Sequence, residues 1–105
     1  MLFSISDIQT SISEGNILWK KHALERMMER GISRFRVKQA ILTGNIIENY
    51  PDDYPIPSFL ICTLIPEPLH LVASYDAKNE LIYIITVYQP DLMHFESDYI
   101  TRRYL

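Results

Sequence analysis

Cysteine is nearly missing from this chain. Cys62 is the sole one in 105 residues, which excludes an internal disulfide and favours a reducing compartment, so a cytoplasmic location is expected. Glycine is scarce as well. The three present form no glycine-rich phosphate loop and no dinucleotide fingerprint, which argues against nucleotide-cofactor enzymes. No long apolar run exists. Residues 59–65, interrupted by Thr63, are far too short for a bilayer, and no membrane partner is expected. The opening MLFSISDIQTSISEG lacks the basic start and apolar core of a secretory leader. Metal-ligand spacing is absent too. His22, His70, His94 and Cys62 are dispersed along the chain, so neither a metal nor another cofactor is expected.

The composition is that of a folded globule, 48% hydrophobic and 22% charged. One domain over residues 1–105 is expected, long enough to bury a core without staples. The net charge of −3 hides an asymmetry. Residues 20–38 hold seven of the ten basic residues and only two acidic ones, Glu25 and Glu29. That window carries +5 and the remainder −8. A basic patch on an acidic body can hold phosphates or an acidic protein, and it can also be an ordinary solvated face.

The pattern predicts helices first and strands after. Ile5, Ile8 and Ile12 recur at helical spacing behind a Ser4/Asp7 capping box, with Gly15 as the stop. A second helix over 20–30 has the apolar stripe Ala23, Leu24, Met27 and Met28 and ends at Gly31. A third starts at Ser33, buries Val37, Ala40 and Ile41, and ends at Gly44. Strands are expected at 46–50, 58–65, 69–75 and 81–88, with a short helix after Pro90 turning Leu92, Phe95 and Tyr99 inward. The layout is α+β: N-terminal helices packed on a twisted antiparallel β-sheet.

Two places in this layout can carry chemistry. On the second helix His22, Arg26 and Arg30 share one face, with Lys21 beside them. Arginines beside a histidine favour its neutral form, which can act as a base while the guanidinium groups hold a phosphate. The same residues could instead be a solvated face paired through Glu25 and Glu29. In the last hairpin, symmetry about Lys78 sets His70 opposite Thr86 and Val72 opposite Ile84. That register puts His70, Val72, Ser74, Ile82, Ile84, Thr86 and Tyr88 on one face. Leu69, Leu71, Ala73, Tyr75, Leu81, Tyr83, Ile85 and Val87 take the other, as the core. His70 beside Thr86 and Tyr88 is then a proton-transfer candidate, or else a half-buried histidine held by a hydroxyl. Ser58 falls at the far end of the meander from His70, and Cys62 reads as a core thiol.

The order Trp19-x-x-His22-Ala23-x-Glu25-Arg26-Met27-x-Glu29-Arg30-Gly31-Ile32-Ser33 resembles a prokaryotic family, domain of unknown function 4258. The resemblance runs on through residues 44–53, Pro57-Ser58, 69–72 and 85–91, covering about residues 16–99. It implies a RelE-like fold and membership of the RelE/MqsR-like toxin superfamily. It also implies a toxin-type endoribonuclease, with a small zinc-finger antitoxin as cognate partner. By residue, it marks His22, Arg26, Arg30, His70, Thr86 and Tyr88. The expected reaction is metal-independent cleavage of RNA by 2′-hydroxyl attack. His22, His70, Tyr88 and Thr86 serve as catalytic groups, and Arg26, Arg30 and Lys21 hold phosphate. His22 and His70 should then face one cleft, within roughly 10 Å of each other. The rival is a non-catalytic module that binds RNA or an acidic protein through residues 20–38.

Overall fold

Ser4 accepts a hydrogen bond from the Asp7 amide at 3.3 Å, and the Asp7 carboxylate accepts one from the Ser4 amide at 2.9 Å. This reciprocal box opens helix α1 (Ile5–Ser13) in a computed structural model that describes residues 3–103. The expected domain limits, Met1 and Leu105, lie outside the described residues. Helix α1 buries Ile8 and Ile12 against the sheet. A short strand, β1 (Ile17–Trp19), follows where only a connection was expected. Helix α2 (Lys21–Arg30) buries Ala23 and Met27 and ends at Gly31, whose φ of 67° is left-handed. Met28, expected in the buried stripe, points to solvent. Helix α3 (Arg34–Thr43) is capped by Ser33, whose hydroxyl accepts from the Arg36 amide at 3.0 Å, and it buries Val37, Ala40 and Ile41.

Four longer strands complete the fold: β2 (Asn45–Tyr50), β3 (Ser58–Thr63), β4 (Leu69–Asp76) and β5 (Leu81–Tyr88). The sheet order is β1-β5-β4-β3-β2. The meander β2 to β5 is antiparallel, as expected, but β1 joins β5 in parallel, so the sheet is mixed and open. The architecture is α+β, with three helices and five strands among the described residues. The helices cover one face, where Phe59, Ile61, Leu71, Ala73, Ile82, Ile84 and Val87 meet Ile8, Met27, Val37 and Ile41. All six residues of β3 are buried, because both of its faces are covered.

The last hairpin differs from the symmetric reading. Asp76 pairs with Leu81 and Ala73 with Ile84, yet Val72 pairs with Thr86 and His70 with Tyr88. One residue, Ile85, is left over as a β-bulge. Below the bulge Ile82 and Ile84 turn to the core and Tyr83 turns away, the reverse of expectation. A bulge changes the side-chain parity of its strand, and alternation alone cannot show that. Past the bulge, His70, Thr86 and Tyr88 share the face opposite the helices.

The expected helix after Pro90 does not form. The Asp91 carboxylate takes the amides of Met93 and His94 at 2.9 Å each, a side-chain competitor that closes a turn. The Asp98 carboxylate does the same for Ile100 and Thr101. Residues 90–103 thus form a folded-back strap, with Phe95 bridging to Arg102. Phe95 is buried, Tyr99 is half-buried and Leu92 is exposed. No helix among the described residues is long and apolar enough to cross a membrane.

Candidate functional site

His70 is fully buried, and both ring nitrogens are engaged. Nε2 lies 2.7 Å from the carbonyl oxygen of Tyr99, and Nδ1 lies 3.2 Å from the Tyr88 hydroxyl. A carbonyl only accepts, so Nε2 carries the hydrogen and Nδ1 is left to accept from Tyr88. The rings of Tyr88 and Phe95 pack edge-on, at centroid distances of 5.3 and 4.6 Å. Burial lowers the His70 pKa, outweighing the Tyr99 carbonyl and the Glu48 charge that favour protonation, and Arg102 lowers it further. Burial likewise raises the Tyr88 hydroxyl above its ordinary range. Thr86 shares this face one pair along, opposite Val72. These three residues are together, but the strap seals His70 from solvent.

The residues expected on α2 go separate ways. Lys21 and His22 both reach Glu25, at 4.0 and 3.5 Å, and Arg26 pairs with Glu29 at 3.1 Å. Arg30 leaves that face and donates to the Val87 carbonyl oxygen. The expected three-residue phosphate face is therefore broken at Arg30. His22, though it reaches Glu25, keeps its side chain 88% exposed.

His22 opens onto a cleft of about 630 Å³ on the sheet face away from the helices. Lys20 and Tyr83 form one wall, with the ammonium 5.2 Å from the ring centroid. Ser58 and Ser74, direct cross-strand partners, form the floor. The loop over residues 51–57 forms the other wall and presents Asp53 and the almost fully exposed Tyr54. The Ser58 hydroxyl donates to the Asp53 carboxylate. The bulged Ile85 sits at the rim, where β1 ends and the Lys20 amide donates to the Ile84 carbonyl at 3.2 Å.

His70 does not line this cleft. It lies four residues from Ser74 along β4, about 13 Å at the usual strand rise, and it is under the strap. The structure keeps the two histidines in different surroundings: His22 in an open cleft, His70 in a closed interior. Lys20, Ser58, Ser74, Tyr83, Asp53 and Tyr54 are the cleft residues that sequence reasoning missed. Ser58 was correctly set apart from His70. It lines the same cleft as His22, a relation created by the parallel β1–β5 pairing that brings the start of α2 to β5. The one available signal was the hydrophobic triplet Ile17-Leu18-Trp19 before the helix. Among the described residues, no group of three or more His, Cys, Asp or Glu side chains is placed to hold a metal ion.

The cleft residues Lys20, His22, Ser58, Ser74 and Tyr83, and the His70–Tyr88 pair, all fall inside the segment matched by one protein-family model, residues 19–89. The strap falls outside it. No curated protein and no solved structure matches the chain. With 19–89 matched, the chain belongs to the DUF4258 family, a domain of unknown function.

Proposed function

We propose that this domain is a toxin-type endoribonuclease of RelE-like fold that works in the cytoplasm beside a cognate antitoxin and cuts RNA at the His22 cleft. The observation that carries the reading is that an exposed imidazole and the ammonium of Lys20 open onto one cavity large enough for a nucleotide. His22 takes the proton from the ribose 2′-hydroxyl, whose oxygen attacks the adjacent phosphorus. Lys20 neutralises charge on the phosphorane. The Tyr83 hydroxyl gives its proton to the departing 5′ oxygen, and the imidazolium restores it. The products are a 2′,3′-cyclic phosphate and a free 5′-hydroxyl, with no metal required. Tyr54, on the facing wall, offers a ring on which a base can stack. In this scheme His70, Tyr88 and Thr86 support the sheet and do not touch substrate.

The non-catalytic reading is favoured by one observation. Residues 20–38 hold seven basic side chains against only Glu25 and Glu29, and Phe35 stands exposed among them. Such a surface binds RNA or an acidic protein without cutting.

The test is incubation of the purified chain with single-stranded RNA in excess chelator, followed by end-group analysis. Cyclic-phosphate ends that vanish in His22→Ala support the enzyme. RNA retained uncut by the parent chain supports the binder.

A further inference from the structure

The strap over residues 90–103 holds its own shape through local bonds. Asp91 and Asp98 close its turns, and Glu96 pairs with Arg103 at 3.1 Å. Its ties to the sheet are few and concentrated. Arg102 reaches Glu48 with two hydrogen bonds, at 2.8 and 3.0 Å. Within the strap, the same guanidinium lies 4.9 Å from the Phe95 ring centroid. The Tyr99 carbonyl receives His70 and, weakly, the Cys62 thiol at 3.9 Å. Phe95 plugs the face beneath.

The sheet does not need the strap for its ladder. Strands β2 to β5 pair along their lengths, and the strap adds no strand to them. On this face lie the polar Glu48, Tyr50, His70 and Tyr88, together with Cys62 and the fully buried Leu60. Tyr50 donates to Glu48 at 2.6 Å, so the carboxylate is oriented from both sides. A segment held to the rest of the domain by few contacts can open locally, at lower free energy than global unfolding.

We infer that this face is a peptide-binding site and that the strap is its tethered occupant, able to lift as a unit. The strap shows what the site takes: a segment folded back on itself, with an aromatic side chain, a main-chain carbonyl and, three residues beyond that carbonyl, an arginine. His70 Nε2–H reads the carbonyl, Glu48 reads the guanidinium, and the His70 ring reads the aromatic side chain. A partner segment with those features would displace the strap. The inference does not depend on the ribonuclease reading.

Cys62, the one cysteine, lies under Tyr99 and reports opening. Thiol labelling is to be followed in increasing urea for the parent chain and Arg102→Ala. Labelling of the parent should depend on urea far less steeply than unfolding, because little surface is exposed on opening. Arg102→Ala should label about fivefold faster, the loss of the one ion pair that ties the strap to β2. A synthetic peptide of residues 90–103 should then slow labelling of Arg102→Ala, and the same peptide with its arginines replaced should not. Labelling that follows global unfolding in both proteins overturns the lid. A lid that opens locally but ignores the peptide at millimolar concentration overturns the peptide site.

Discussion

His70 donates its Nε2 hydrogen to the carbonyl oxygen of Tyr99 at 2.7 Å, joining strand β4 to a segment 29 residues further along the chain. The bond fixes the tautomer, turns Nδ1 toward Tyr88 and encloses the ring between two aromatic side chains. A histidine held in this way is fully buried with both ring nitrogens engaged.

Replacing it should therefore act on stability. His70→Ala removes two hydrogen bonds and leaves a cavity beneath Phe95, a loss of about 2–4 kcal/mol. For a domain of this size that lowers the melting temperature by roughly 10–20 °C. Cleavage per folded molecule should equal that of the parent. Thermal denaturation and single-turnover assays on one preparation measure both, and a stable His70→Ala that no longer cuts contradicts the assignment.

The same enclosure predicts a pH dependence. Burial holds the folded-state pKa of His70 below the ordinary 6.5, with Glu48 opposing and Arg102 assisting. Below pH 6.5 the unfolded chain takes up a proton that the folded chain refuses. Stability is thus full above that pH and falls as the pH drops from 6.5 toward the lower folded value. Urea midpoints between pH 7.5 and 5.5 should decline in the parent and decline less in His70→Gln. Equal slopes in the two proteins would remove His70 as the cause.

His22 should show the opposite profile. Its side chain is 88% exposed and meets only Glu25 at 3.5 Å, so His22→Ala should shift stability by less than about 0.5 kcal/mol. Cleavage should fall by about a hundredfold or more, the range for a positioned acid–base group. Lys20→Ala should weaken RNA retention and lower the slope of log affinity against log salt by about 0.7, one phosphate contact on a single strand. An unaltered cleavage rate in His22→Ala moves the chemistry elsewhere.

Gly44 is a packing glycine. Its backbone is extended, with φ of −97°, so conformation does not demand glycine there. Space does. A Cβ would lie 2.5 Å from the Ala40 carbonyl oxygen and 2.7 Å from that of Cys62. Gly44→Ala should cost about 1–3 kcal/mol by forcing α3 away from β3. Chemical denaturation measures this, and an unchanged midpoint would mean that the helix yields freely.

The order of helices and meander was legible in the sequence because each rests on short-range physics. The Ser4/Asp7 box, the Ser33 cap and the glycine at 31 act within one turn of the backbone. The alternation of β4 set Leu69, Leu71, Ala73 and Tyr75 against His70, Val72 and Ser74 with no knowledge of any partner strand. The basic window was equally visible. Three things needed the tertiary structure. The bulge at Ile85 depends on how β5 meets β1 on one side and β4 on the other, and it exchanged Ile82 and Ile84 for Tyr83 on the core face. The parallel β1 pairing, a contact across more than sixty residues, joined His22 and Lys20 to Ser58 and Tyr83 in one cleft. The strap, folded by Asp91 and Asp98 instead of helical periodicity, decided whether His70 meets solvent. Local propensity names the residues that can do chemistry. Which of them share a cavity depends on long-range register, and that is set by the packing of the whole sheet.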